Sequence, residues 1–193
     1  MRVIAGQAKG TKLTSLKGAR VRPTLDRVRE SLFNMLGHDL SGKSILDWFA
    51  GSGAIGIEAL SRGAQKVVFV EHNRQAQKLI YANLEKCRFW SGEGESKEAD
   101  WVLLKMDVLH AVSLLEERGY RFDIVYVDPP FAEGLYTECL TALAASRLLG
   151  DSAKVVVEHH HKNVLHESYG KLSLTDQRKL GDTCLSFYKL ENL

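Results

Sequence analysis

Hydrophobic positions along the chain follow two alternating rhythms. Short apolar runs occur at 43–49 (Lys-Ser-Ile-Leu-Asp-Trp-Phe), 66–71, 101–106, 122–128 and 153–158. Three of them (66–71, 122–128 and 153–158) have the unbroken apolar character of strands buried on both faces. Between the runs, 54–62, 74–87, 108–118 and 135–146 carry apolar residues at helical spacing, with Asn73 as a natural cap for the second. Strands alternating with helices predict a doubly wound, mostly parallel α/β sheet. Residues 172–178 and 183–190 alternate around Gly181-Asp182 with no helix between them, which predicts an antiparallel hairpin at one edge and seven strands in all. Upstream, Val28, Leu32, Phe33, Met35 and Leu36 recur at helical spacing after Pro23, with Thr24 a candidate cap and Gly37 the end. Residues 2–22 hold two β-prone pieces, Arg2-Val3-Ile4-Ala5 and Thr11-Lys12-Leu13, read as a small N-terminal β-hairpin. The expected division is an arm over 1–22 and the α/β domain over 23–193. Segment 91–100 is polar and reads as a surface loop.

Composition changes little except at the N-terminus. Over 193 residues, 45% are hydrophobic and 26% charged, so a packed core is expected and disorder is not. No apolar run reaches the roughly 18 residues of a membrane span. The N-terminus lacks an apolar signal core, which points to the cytoplasm; a monomer is expected. Cys87, Cys139 and Cys184 are scattered and odd in number, which predicts buried free thiols. The net charge of +2 hides an asymmetry: residues 1–25 contain six basic residues and no acid. Such an arm suits a nucleic-acid backbone, with Arg2, Lys9, Lys12, Arg22, Arg27 and Arg29 as candidate contacts. Asp26 and Glu30 offer the helical arginines an alternative, local pairing. His159-His160-His161 is not read as a metal site, because successive strand residues point to opposite sides.

The turn Asp47-Trp48-Phe49-Ala50-Gly51-Ser52-Gly53-Ala54-Ile55-Gly56 follows a strand and opens a helix. It formally satisfies the dinucleotide fingerprint, with Glu71 twenty residues after Gly51. Asp47, however, would repel a diphosphate at that turn and would welcome a sulfonium and an ammonium group. Further acids stand at strand ends, Glu71, Asp107 and Asp128, where open α/β sheets bind ligands. The reading is S-adenosylmethionine. Gly51 and Gly53 allow close backbone approach, Glu71 accepts from the ribose hydroxyls and Asp107 from the adenine amine. Phe49, Ala50, His72 and Val108 complete the candidate lining. Asp107 can also cap the helix that follows, and both roles can hold together; a dinucleotide or a plain packing turn is the competing reading of the motif.

Asp128-Pro129-Pro130-Phe131 ends the fourth strand of the core, where prolines stop the sheet and leave carbonyls free to accept. An exocyclic amine on a base is a poor nucleophile because its lone pair is delocalised into the ring. Asp128 and a carbonyl near Pro129 can accept its two hydrogens and aim the lone pair, with Pro130 helping to fix that backbone, while Phe131 offers a stacking face worth about 1–3 kcal/mol.

These motifs, with Arg2-Val-Ile-Ala-Gly, Arg22-Pro-Thr, Arg27-Val-Arg-Glu-Ser-Leu-Phe-Asn and Gly181-Asp-Thr, resemble the RsmD family of class I methyltransferases. The resemblance implies a Rossmann-like fold and S-adenosylmethionine as donor, with S-adenosylhomocysteine as product. It also implies N2 of a guanine in 16S ribosomal RNA as acceptor, presented by an assembled 30S particle. Adenine-N6 or cytosine-N4 methylation of DNA, glutamine-amide methylation, dinucleotide-dependent redox chemistry and non-catalytic RNA binding stand as alternatives.

Overall fold

The computed structural model describes residues 1–15, 23–91, 100–130 and 135–191. In chain order the elements are α1 (Pro23–Leu36), β1 (Ser44–Asp47), α2 (Ala54–Ser61), β2 (Lys66–Val70), α3 (Arg74–Lys86), β3 (Trp101–Leu104) and α4 (Val108–Glu117). They continue with β4 (Phe122–Val127), α5 (Leu135–Ala145), β5 (Leu149–His160), β6 (Ser168–Tyr169), β7 (Leu172–Leu180) and β8 (Thr183–Leu190). One sheet contains every strand, in the order β3-β2-β1-β4-β5-β8-β7-β6. Strands β1 to β5 are parallel, and β8, β7 and β6 close the edge antiparallel.

The expected doubly wound architecture and its C-terminal hairpin are both present, but the sheet has eight strands rather than seven. The extra one, β6, has two residues, too few to leave a period in the sequence. Strand β5 also starts four residues before the apolar run. Leu149 pairs with Phe122 before a register irregularity leads to the Ile124–Lys154 pair. Helix α1 begins at Pro23, whose missing N–H costs nothing in a first turn, so Thr24 lies inside the helix rather than capping it. Gly37 ends it, at φ +117°. Asn73 caps α3 by accepting from the N–H groups of Gln75 and Ala76.

Successive strand residues feed opposite faces of the sheet. Ile45, Val67 and Phe69 pack with Phe33, Ile57 and Ile80 from α1, α2 and α3. Leu46, Val68, Val125 and Val155 pack with Leu115 and Leu140 from α4 and α5. Truncating one of these side chains, Leu46 for instance, should cost about 2–5 kcal/mol. The three cysteines are free and buried, as expected.

Residues 1–15 fold back on themselves, with Arg2 bridging Lys12, and bury Val3, Ala8 and Leu13 in the first of these cores. Glu58 of α2 anchors them, accepting from the N–H groups of Ile4 (2.8 Å) and Ala5 (3.0 Å). Most of the polar segment 91–100 lies outside the described residues, as do Lys17 and Arg20 of the basic stretch. Among the described residues no helix is long and apolar enough to cross a membrane.

Candidate active site

The chain leaves β1 outward to β2 and β3, then crosses back to β4 and runs the other way. At that reversal the carboxyl ends of β1 and β4 diverge, and open α/β sheets bind ligands in the crevice so formed. A cavity of about 400 Å³ occupies it, bordered by Gly51, Glu71, Val108, Asp128, Pro129 and Tyr136 among others. A second, of about 180 Å³, continues toward Asp47, Ala50 and Arg29. Phe49, Gly51, Asp128 and Glu158 border both.

The glycine turn works through two different residues. Gly51, at φ +54°, borders both cavities and presents bare backbone to them. At Gly53, φ +76°, a side chain would meet Ile80 and Ile57, so this glycine serves the turn and the packing behind it. A side chain at Gly56 would meet Phe69 at 2.2 Å, so that glycine lets α2 lie against β2. Asp47 fastens the turn by accepting from Gly56 N–H at 3.0 Å. Glu71 does the same from the next strand, one oxygen accepting from Gly51 N–H (2.8 Å) and the other from Asn73 N–H (2.7 Å). Each of its oxygens keeps a lone pair that can accept from a ligand hydroxyl.

Three acids crowd the floor. Asp47 pairs in register with Tyr126, and Asp128 and Glu158 each follow directly on the paired residues Val127 and Val157. Burial, opposed by the Gly56 hydrogen bond and reinforced by Glu71, pushes the Asp47 carboxyl up to about 7. Withdrawal from bulk water, then repulsion from Glu158 and Asp47, holds Asp128 well above the usual carboxylate range. Asp128 is still reachable by water through the crevice mouth, as a group that meets a substrate must be. Burial also raises Glu158, against the hydrogen bond it accepts from the Tyr126 hydroxyl. Among the described residues the lining of the larger cavity includes no lysine or arginine. A diphosphate would face Glu71, Asp128 and Glu158 without a counter-charge, whereas a cationic ligand would relieve their repulsion. The residues fit S-adenosylmethionine and do not fit a dinucleotide.

Other expected site residues fall out as follows. Pro129, Pro130, Phe49, His72 and Val108 line the larger cavity and Ala50 the smaller. Asp107 is absent from both linings. Its side chain is exposed and accepts from Leu109 N–H at 2.9 Å, so it caps α4 through one oxygen, which is compatible with accepting from a ligand through the other. Phe131 and Arg22 lie outside the described residues. Arg2, Lys9, Lys12 and Arg27 are exposed, as a phosphate contact requires. Arg29 is not: at 3% exposure it turns inward, donates to the Arg2 carbonyl, and pairs with Asp26 (3.1 Å) and Glu58 (3.8 Å). Burial makes it part of the arm's anchorage and removes it from the surface set.

Three residues were invisible to motif reading. Glu58 is fully buried between Arg62 (2.8 Å) and Arg29; only its i+4 spacing from Arg62 shows in sequence. Asn83 accepts from Thr14 N–H and donates to the carbonyls of Thr14 and Ser52, tying the arm to the glycine turn. Tyr126 reads as a core aromatic, and its hydroxyl function depends on strand register. His159 is buried against Ser186 at 2.8 Å. His160, His161 and Asp182 bring ligand atoms within 4.8 Å at the surface, but Nδ1 of His160 already accepts from Lys162 N–H.

The chain matches the model of the family described as Conserved hypothetical protein 95 over residues 1–189. It is 35% identical over 191 residues to ribosomal RNA small subunit methyltransferase D of Escherichia coli K12, covering 99% of this chain and 90% of that one. Among solved structures, a methyltransferase candidate from Escherichia coli, yhhF, superposes with a TM-score of 0.81 at 32% identity, covering 100% and 99% of the two chains. A hypothetical protein of Thermus thermophilus superposes with a TM-score of 0.79 at 26% identity, covering 98% and 99%. With a crevice built for a cationic donor at the sheet's reversal and a family match along nearly its whole length, this chain belongs to the RsmD family of methyltransferases.

Proposed function

We propose that the chain transfers a methyl group from S-adenosylmethionine to the exocyclic N2 amine of a guanine in small-subunit (16S) ribosomal RNA, acting as a cytoplasmic monomer on an assembled 30S particle. The observation that carries this reading is Asp128 and the Pro129-Pro130 backbone facing Gly51 and Glu71 across one cavity. Bound there, the cofactor supplies an electrophilic methyl on a positively charged sulfur. Glu71 holds the ribose hydroxyls and Gly51 leaves room for the amino-acid portion. Asp128 accepts one hydrogen of the amine, and a carbonyl at Pro129 or Pro130 the other. The nitrogen lone pair then points out of conjugation with the ring, toward the cofactor side of the crevice. Asp128 also receives the proton that becomes acidic as the amine acquires positive charge. Most of the acceleration comes from holding the two reactants in line. Phe131 is assigned the stacking face for the base.

Exposed Arg2, Lys9, Lys12 and Arg27, together with Arg22, are assigned to the RNA backbone. A base in a loop or a single-stranded segment can leave its stack and enter the crevice. The family relative named for small-subunit ribosomal RNA supports that substrate.

The test is methyl transfer to small subunits from an unmodified strain, followed by nucleoside mass analysis, beside naked RNA as comparison. N2-methylguanosine is the expected product. N6-methyladenosine would overturn the guanine assignment. Calorimetry with S-adenosylhomocysteine and with NAD checks the donor, and NAD binding alone would end the reading.

A further inference from the structure

Asp128 has a partner whose position no motif explains. Glu158 follows Val157 as Asp128 follows Val127, and those two valines are paired on adjacent parallel strands. The two carboxyls therefore stand side by side, and both border both cavities. Tyr126, two residues before Asp128 and 3% exposed, donates its hydroxyl to Oε2 of Glu158. Burial and the surrounding acids keep that phenol protonated, so it is a permanent donor and fixes the carboxylate. Among the described residues no hydrogen bond engages Oε1, which can accept from whatever enters beside Asp128.

Bases with an exocyclic amine differ in the ring atom next to it. In guanine the N2 amine lies between N1–H, a donor, and N3, an acceptor, so a carboxylate on the N1 side meets a donor. In adenine the neighbour of the N6 amine is N1, and in cytosine the neighbour of the N4 amine is N3; both are acceptors. A carboxylate beside Asp128 accepts from the first and repels the other two. We infer that Glu158, held by Tyr126 next to Asp128, accepts the ring N1–H of the target guanine and is the residue that separates guanine from adenine and cytosine. The inference rests on the guanine reading above and adds the atom by which the base is chosen. A site built to bond a substrate N–H rejects an analogue lacking it, because a buried acceptor is then left without a partner.

2-Aminopurine isolates this contact: it keeps the 2-amino group but presents N1 as an acceptor. Small subunits reconstituted with guanine or 2-aminopurine at the methylated position are compared for the wild type, Glu158→Gln and Tyr126→Phe. Wild type should favour guanine strongly. In Glu158→Gln, whose amide can also donate to N1, the guanine preference in kcat/KM should fall at least about tenfold. S-adenosylhomocysteine affinity and the thermal midpoint should hold, which excludes misfolding. Tyr126→Phe should erode the preference less. Equal losses on both bases would make Glu158 a structural residue and overturn the inference, as would a wild type indifferent to the two bases. An adenine product from unmodified subunits would instead sink the guanine reading itself, and the two failures are told apart by the nucleoside formed.

Discussion

Two clusters of acid lie on either side of the glycine turn, and they are solved in opposite ways. Behind it, Glu58 is fully enclosed but surrounded by Arg62, Arg29 and the N–H groups of Ile4 and Ala5. In front of it, Asp47, Asp128 and Glu158 crowd together, and none of the three is in an ion pair among the described residues. Their carboxyls are pushed upward instead. A matched buried charge holds parts of the chain together. An unmatched cluster leaves an electrostatic demand that a cationic ligand and a donor-bearing substrate can meet.

The largest effect expected from this contrast is on turnover. Asp128→Ala should lower kcat by about a thousandfold or more, because it removes an acceptor that acts only as charge develops on the amine. Binding of S-adenosylhomocysteine should stay within a few-fold of wild type. An equal loss of binding and turnover would place Asp128 with the cofactor rather than with the base.

On the matched side, Glu58→Ala should act on folding. It strands the buried Arg62 guanidinium and two backbone donors and leaves Arg29 with Asp26 as its one carboxylate, a change that costs about 3–5 kcal/mol. The thermal midpoint should drop sharply, and residues 1–15 should lose amide protection first. A small shift in midpoint with intact protection would mean the arm is held chiefly by Val3, Ala8 and Leu13.

The unmatched side should also be visible in pH dependence. A carboxyl raised from the ordinary 3.8 to about 7 binds its proton more tightly folded than unfolded. Folding stability from Asp47 therefore falls as pH rises through that window and is flat above it. A sulfonium ligand favours the ionised form, so binding must expel the proton below pH 7. Affinity for S-adenosylmethionine should weaken by up to about tenfold per unit below that point, and affinity for uncharged-sulfur S-adenosylhomocysteine less steeply. Identical slopes for the two ligands would remove the cluster's charge from the account.

The difference between the clusters also marks what could be read in the sequence. Each acid of the crevice stands at the end of an apolar run, so Asp47, Glu71 and Asp128 announce themselves once the strands are recognised. That Asp128 has Glu158 as its neighbour depends on the β4–β5 register, which a local pattern does not encode. Glu58 looks like an ordinary helical acid, since its partners Ile4 and Ala5 lie more than fifty residues away. Asp107 shows the converse: a strand-end acid is also a helix cap, and the fold shows that cap made through one carboxylate oxygen. β6 and the first residues of β5 were illegible because they are too short or too glycine-rich to carry a period.

The smallest effect concerns the basic arm, where, among the described residues, one cation departs from the others. Lys9 and Lys12 are exposed, whereas Arg29 sits inside with Glu58. Each exposed cation on a phosphate displaces a counterion, so Lys9→Ala with Lys12→Ala should weaken RNA binding modestly and reduce the salt slope by about 1.5. The midpoint of unfolding should not move, because neither lysine is buried. Arg29→Ala should do the reverse, lowering the midpoint while leaving the salt slope alone. Filter binding across a salt series, with a melt for each variant, measures both quantities. If Arg29→Ala flattens the slope as the lysine pair does, then the arm opens on RNA and its inner arginine reaches a phosphate. If the lysine pair leaves the slope untouched, the arm touches no phosphate through these two residues, and its basic character belongs to Arg2, Arg22 and Arg27.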